Sequence, residues 1–220
     1  MPEFLNLLPR LLPDFWAGLA LNVQMAFCAL LIGVVPGAAL ALLRFKGAVL
    51  SSFAKSVMAV LHVVPTIVLM FFFINVVSGS VSVGRIQIVM TPWLAAVLSL
   101  AVYASTSVSD MLFEAIRQLR SGSHVAAMLF VLNLFRVFLA LVLASGFGAA
   151  IGVVESTAVT MRALENLPKL SQKLWLIGMA LVFFTLIFQF AHVLLGQVHR
   201  KINARYSLYQ EPLSAKFGAV

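Results

Sequence analysis

Asp110 and Glu114 are four residues apart, so a helix would stack their carboxylates on one face. Paired carboxylates can divide acid and base roles. Here Arg117 and Arg120 follow within two turns, and the three-residue step from Glu114 to Arg117 favours a local ion pair. Asp110 lies deeper in apolar sequence, where a carboxylate is a functional candidate that faces a partner helix or a pathway. Other polar groups are sparse. Ser105, Thr106 and Ser107 form one cluster, whose hydroxyls either bond back to helix carbonyls or line a passage for a zwitterion. Asn22 with Gln24, and Gln189 with His192, make two smaller polar faces. His62 and His192 have no second ligand at helical spacing, so no metal centre is expected. No catalytic constellation stands out, and an enzyme is not expected.

The elements that must position these groups are membrane spans. Hydrophobic residues make up 62% of the 220-residue chain and charged residues 10%. A soluble domain is about half apolar and a quarter charged. Mean hydropathy is +1.07. Runs of about 18 or more apolar residues read as membrane helices. Cys28, the single cysteine, excludes an internal disulfide and a cysteine-built zinc site. Glu3, Pro9, Arg10 and Pro13 argue against a cleavable signal peptide.

Five spans are expected, at about residues 15–43, 57–77, 92–113, 137–154 and 174–195. Together they form one transmembrane domain over residues 14–206. Residues 1–13 read as an interfacial segment and 207–220 as a cytoplasmic tail. The net charge of +8 marks orientation in a bilayer rather than nucleic-acid binding, because the basic residues collect at span ends. Arg44, Lys46, Lys55, Arg117, Arg120, Arg200, Lys201, Arg205 and Lys216 fall on one side, which the positive-inside rule makes cytoplasmic. The N-terminus then faces out and the C-terminus in.

Residues 125–154 are awkward as a single span. They would make a helix of about 45 Å for a hydrocarbon core of about 30 Å, with Arg136 inside it. A split is favoured, with a membrane-hugging cytoplasmic helix over 123–135 and a span from Val137, Arg136 snorkelling at the interface. Gly33, Pro36, Gly37, Pro65, Gly146, Gly148 and Gly152 are the breakers. They serve helix packing, or mark bends beside a translocation path.

The order of short patterns resembles the permease (membrane) subunits of the polar amino acid family of ATP-binding-cassette importers. Gly18-Leu-Ala-Leu-Asn22-Val-Gln24 is similar to the family's Gly-x-x-x-Thr-Leu-Gln/Glu opening, and Gly33 and Arg44 follow at matching distances. HVVPTIVLMFFF at 62–73 resembles the Arg-Gly-Thr-Pro segment with its aromatic tail, with His62 in place of Arg. Thr91-Pro92 and AAVLSL match the third span, Asp110 replaces a Glu, and Ala115-Ile116 match directly. Ile151-Gly152-Val153-Val154-Glu155 is similar to Ile-Gly-Val-x-Glu. The resemblance covers about residues 14–206. It departs at the ATPase-coupling loop. Gly122, His124, Ala126 and Ala127 resemble the front of that loop, Val125 replaces its Glu, and its later Gly and Leu-Pro are absent. The family's Lys-Asp-Thr-Ser patch is also unmatched, since Leu143-Ala144-Ser145-Gly146 stands there.

The resemblance implies an all-α fold of the type I ABC importer permease kind, in a bacterial inner (cytoplasmic) membrane. It implies a second permease subunit, identical or related, a cytoplasmic ATPase that holds the ATP, and an extracytoplasmic solute-binding protein. No cofactor is expected on this chain, which lacks a Gly-x-x-x-x-Gly-Lys-Ser/Thr loop. The coupling-loop residues would be Glu114, Arg117, Arg120, Gly122, His124, Ala126 and Ala127. Asn22, Gln24, Pro65, Thr66, Ser105, Thr106 and Asp110 would line the path of a polar amino acid. The shortened loop leaves a second reading open, a permease-derived structural or regulatory subunit that does not dock an ATPase itself.

Overall fold

A computed structural model describes residues 2–77, 80–83, 86–122 and 125–217. The described residues form a bundle of seven helices: α1 (Pro2–Leu43), α2 (Ala48–Val63), α3 (Thr66–Val76), α4 (Pro92–Arg120), α5 (Val125–Ala144), α6 (Ser156–Glu165) and α7 (Leu170–Phe217). A 3₁₀ segment, Ser145–Ile151, continues α5. Strands β1 (Ser80–Val83) and β2 (Ile86–Val89) pair antiparallel, Ser80 opposite Val89 and Val83 opposite Ile86. That hairpin is the exception to the all-α expectation.

Among the described residues four helices are long and apolar enough to cross a membrane: Leu11–Leu43, Pro92–Arg120, Leu129–Ile151 and Leu170–Val198. The bent pair α2 and α3 brings the number to five if it is one span. α4 is the central helix, with 56% of its apolar window buried, against 28% for α1 and α5 and 6% for α7. Its start follows directly from sequence. Thr91 caps it, accepting a hydrogen bond from the Leu94 N–H, and Pro92 occupies the first turn where no N–H is needed. Met25, Ala29, Met70, Val97, Leu100, Ala104 and Leu141 meet in the core. The outer surface is apolar instead, as on α7, where Leu174, Trp175, Leu181, Leu186 and Phe190 are exposed. That inversion suits a lipid surround.

Small residues set the α1–α4 contact. A Cβ on Gly33 would stand 2.6 Å from the Ala104 Cβ and 2.7 Å from the Ala101 carbonyl oxygen, and one on Gly37 would stand 2.6 Å from the Ser105 carbonyl oxygen. The two glycines are one turn apart, so a single stripe of α1 lets the backbones approach.

Several expected boundaries are corrected. The second span is not one helix: α2 and α3 meet at 90°. Pro65 lacks an N–H and clashes with an extended helix, and Val64 before it is driven to an extended conformation (φ −76°, ψ 116°). The third span does not end near residue 113, since α4 continues to Arg120 and carries Glu114 and Arg117 on the helix. The split near Arg136 is absent, because α5 runs unbroken from Val125 to Ala144. No Gly or Pro lies within that range to stop it. Arg136 stays on the exposed face and donates to the Asn133 side chain at 3.1 Å. The boundary drawn at residue 13 is not a helix end either, as α1 passes through Pro9 and Pro13.

Candidate functional site

Polar chemistry concentrates in two clusters at opposite ends of the bundle. Asn22 on α1 anchors one, and Arg44, just past the end of α1, anchors the other.

The first cluster is a buried clasp between α1 and α6. Gly152 (φ 93°) ends the 3₁₀ segment in a left-handed turn that favours glycine. Val153 then enters the core, and Glu155 caps α6 by accepting from the Thr157 and Ala158 N–H groups at 2.8 and 3.1 Å. Asn22 reaches the same carboxylate. Its Nδ2 donates to Glu155 Oε2 at 3.0 Å and to Ser145 Oγ at 2.8 Å. Its Oδ1 accepts from the Ser156 N–H and hydroxyl at 3.2 and 3.1 Å. Asn22, Ser145, Glu155 and Ser156 are all buried. One turn before Asn22, Gly18 admits the α6 backbone, for a Cβ there would stand 2.5 Å from the Ser156 nitrogen. The Gly18/Asn22 and Gly152/Glu155 patterns, with Asn22 and Glu155 separated by 133 residues, are two halves of one contact. The sequence reading treated them separately and overlooked Glu155 and Ser145 as partners of Asn22. A buried polar group needs a partner, and that demand was the available signal.

The second cluster joins α1, α2 and α4. Arg44 Nη1 lies 2.7 Å from Asp110 Oδ1, and His62 Nε2 lies 3.5 Å from Asp110 Oδ2. The Arg44 guanidinium also stacks over the Phe113 ring at 4.0 Å, Phe113 stacks on Phe45 at 4.6 Å, and Arg120 covers Phe45 at 4.4 Å. The result is a layered stack of cation, ring, ring and cation that ties the α1–α2 turn to the end of α4. Replacing Asp110 with Asn is expected to cost about 1 kcal/mol, because the pair is half exposed on the Asp110 side. Arg44→Ala is expected to cost more, since it also strips the ring contact. Thermal unfolding of the two single variants and the double variant in detergent checks this, and additive losses would sink the coupling.

The coupling-loop residues divide. Glu114 is paired to Arg117 at 2.9 Å and to Gln118 at 2.7 Å on the exposed end of α4. Gly122 (φ 90°) makes the turn out of α4, and Ala126 and Ala127 belong to the first turn of α5. His124 lies outside the described residues. Arg120, at the last residue of α4, covers the Phe45 ring.

The path candidates divide too. Asn22 is buried in the clasp while Gln24 is exposed, since residues two apart lie on nearly opposite helix faces. Ser105 and Thr106 donate to the carbonyls of Val102 and Tyr103 at 2.7 and 2.9 Å. Thr66 and Thr106 face one another's helices across a cavity of about 70 Å³ at the Pro65 elbow, which His62 and Tyr103 also line. Among the described residues no group of three or more His, Cys, Asp or Glu is placed to hold a metal ion.

No family model and no curated protein matches the chain. Two solved structures match it. An amino acid ABC transporter, described with histidines, aligns at TM-score 0.65 and 19% identity over 90% of this chain and 98% of that one. The MetNI methionine ABC transporter, in an inward-facing conformation, aligns at TM-score 0.55 and 19% identity over 87% of this chain and 95% of that one. At that identity the likeness is one of fold, and the chain shares the fold of the aligned chains of these ABC transporters nearly end to end.

Proposed function

We propose that this chain is a transmembrane permease subunit of an ATP-binding-cassette importer for polar amino acids. The observation that carries the reading is the fold, whose likeness to amino acid and methionine transporters extends over almost the whole chain of each. The ordered sequence patterns support it independently. In this reading a second permease subunit, a cytoplasmic ATPase and an extracytoplasmic solute-binding protein complete the assembly, with the basic span ends in the cytoplasm. The elbow cavity is large enough for water and too small for an amino acid. The substrate path therefore opens between this chain and its partner permease, and the α2–α3 elbow, packed on α4, is the wall that moves. ATP binding on the cytoplasmic ATPase supplies the free-energy difference between the outward and inward states. The Asp110 cluster sits at the cytoplasmic end of that wall.

One observation favours the second reading, a structural subunit without its own ATPase contact. α4 ends at Arg120 and α5 begins at Val125 and runs as a single helix, so among the described residues no separate docking helix precedes the span. Copurification decides between them. The tagged chain, drawn from membranes in mild detergent, is expected to bring an ATPase with it, and Glu114→Ala with Arg117→Ala is expected to weaken that association about tenfold by removing exposed polar contacts at the α4 end. Recovery of membrane partners with no ATPase would move the assignment to the structural reading.

A further inference from the structure

A cavity of about 610 Å³ lies between α1 and α6, lined by Leu11, Asp14 and Gly18 on one side and Arg162 and Asn166 on the other. Asp14 and Arg162 are exposed, and the ion pairs among the described residues are formed by other groups. The two opposite charges thus stand on facing walls without bridging. An apolar groove of about 280 Å³ adjoins it, sharing Leu11 and bounded by Phe15, Leu176, Ala180, Phe183 and Leu186. On α7 the groove runs from Leu176 to Leu186, about 15 Å at 1.5 Å per residue. That is about half the thickness of a bilayer's hydrocarbon core, the depth of one leaflet.

We infer that the cavity and groove form a binding site for an aminophospholipid, a lipid with an ammonium and a phosphodiester in its headgroup. The Arg162 guanidinium meets the phosphate oxygens, with the Asn166 amide beside it. The Asp14 carboxylate meets the ammonium. One acyl chain lies in the groove against Phe15 and Phe183. A soluble zwitterion would satisfy the two charges and would leave the groove unused. The groove's apolar wall is what selects a lipid.

The test uses the full chain, stripped of lipid in detergent and offered equal amounts of phosphatidylethanolamine and phosphatidylglycerol in mixed micelles, with bound lipid read by native mass spectrometry. The wild-type chain is expected to retain phosphatidylethanolamine preferentially. Arg162→Gln is expected to lower retention of both lipids about tenfold, the effect of losing a charge-assisted contact, with Arg162→Lys restoring most of it. Asp14→Asn is expected to keep binding and lose the preference, since only the ammonium meets that carboxylate. Ala180→Trp, which fills the groove, is expected to abolish retention of either lipid. Gel filtration and helical circular dichroism confirm that each variant is folded. Unchanged preference in Asp14→Asn, unchanged retention in Ala180→Trp, or displacement of the lipid by free glycine would each overturn the inference. None of these readouts depends on transport.

Discussion

Substituting Glu155 with alanine is expected to destabilise the protein by about 2–4 kcal/mol, combining a lost helix cap of about 1 kcal/mol with buried donors left unsatisfied at about 1–3 kcal/mol. The physical reason is that Glu155 serves two helices at once. Its oxygens cap the first turn of α6 and accept from Asn22 on α1, in a site with no water-exposed side. Removing it orphans the Thr157 and Ala158 N–H groups and one Asn22 bond, with nothing nearby to replace them. Asn22→Leu should cost a similar amount by stranding the Ser156 N–H and taking a donor from Glu155 Oε2. The measurement is a double-mutant cycle on thermal unfolding in detergent. Because the residues share one network, the double variant should lose less than the sum of the singles by about 1–3 kcal/mol. Strict additivity would mean that Asn22 and Glu155 act independently and that the clasp does not exist as a unit.

The second large effect falls on the α1–α4 contact. Gly33→Val and Gly37→Val each place carbon where backbone carbonyls of α4 already stand. A flexible side chain could move aside, but a helix backbone in the core cannot, so α1 must shift outward. Overpacking of this kind costs about 1–3 kcal/mol or more per site, and the paired substitution is expected to prevent recovery of monodisperse protein. Gly178 and Gly196 provide the control, since a Cβ on either meets no atom within 4 Å. Gly178→Val is expected to behave as wild type or slightly better, because valine is a better helix residue than glycine. Expression and gel filtration of the four variants read the result. Equal tolerance of Gly33→Val and Gly178→Val would refute close packing through the glycine stripe.

Both predictions rest on residues that the sequence displays yet does not connect. Gly33 and Gly37 read either as packing residues or as bends, since small residues in apolar sequence permit close approach. Which helix they approach is a tertiary fact. Asn22 read as a minor polar face with Gln24, but helical geometry puts the two on opposite sides, and Asn22's partners are more than a hundred residues away. The Glu114–Arg117 pair and the back-bonded hydroxyls of Ser105 and Thr106 were legible because they are local, three residues along one helix. The Asp110 cluster was half legible. Depth in an apolar run marked the carboxylate as functional, while Arg44 and His62 come to it from other helices.

The boundary errors have a common origin. Hydropathy reports where apolar sequence begins and ends, and helices need not stop there. α4 continues through its polar end because its last residues are good helix formers with a local ion pair between Glu114 and Arg117. α5 passes Arg136 because nothing in its backbone breaks it. Pro65 did announce a break, and its consequence exceeded the expected bend.

By itself the sequence determined that this is a multi-helix membrane protein, roughly where its spans lie, which end is basic and which residues break or cap helices. Those properties follow from solvent transfer, charge and the backbone limits of Pro, Gly and Thr, which act over one helix at a time. Only the tertiary structure decided that Asn22 meets Glu155, that Arg44 and His62 converge on Asp110, and that the Pro65 elbow turns through 90°. Those outcomes depend on which faces bury against which, and in a chain with so many interchangeable apolar faces, packing shape selects the partner where hydropathy cannot.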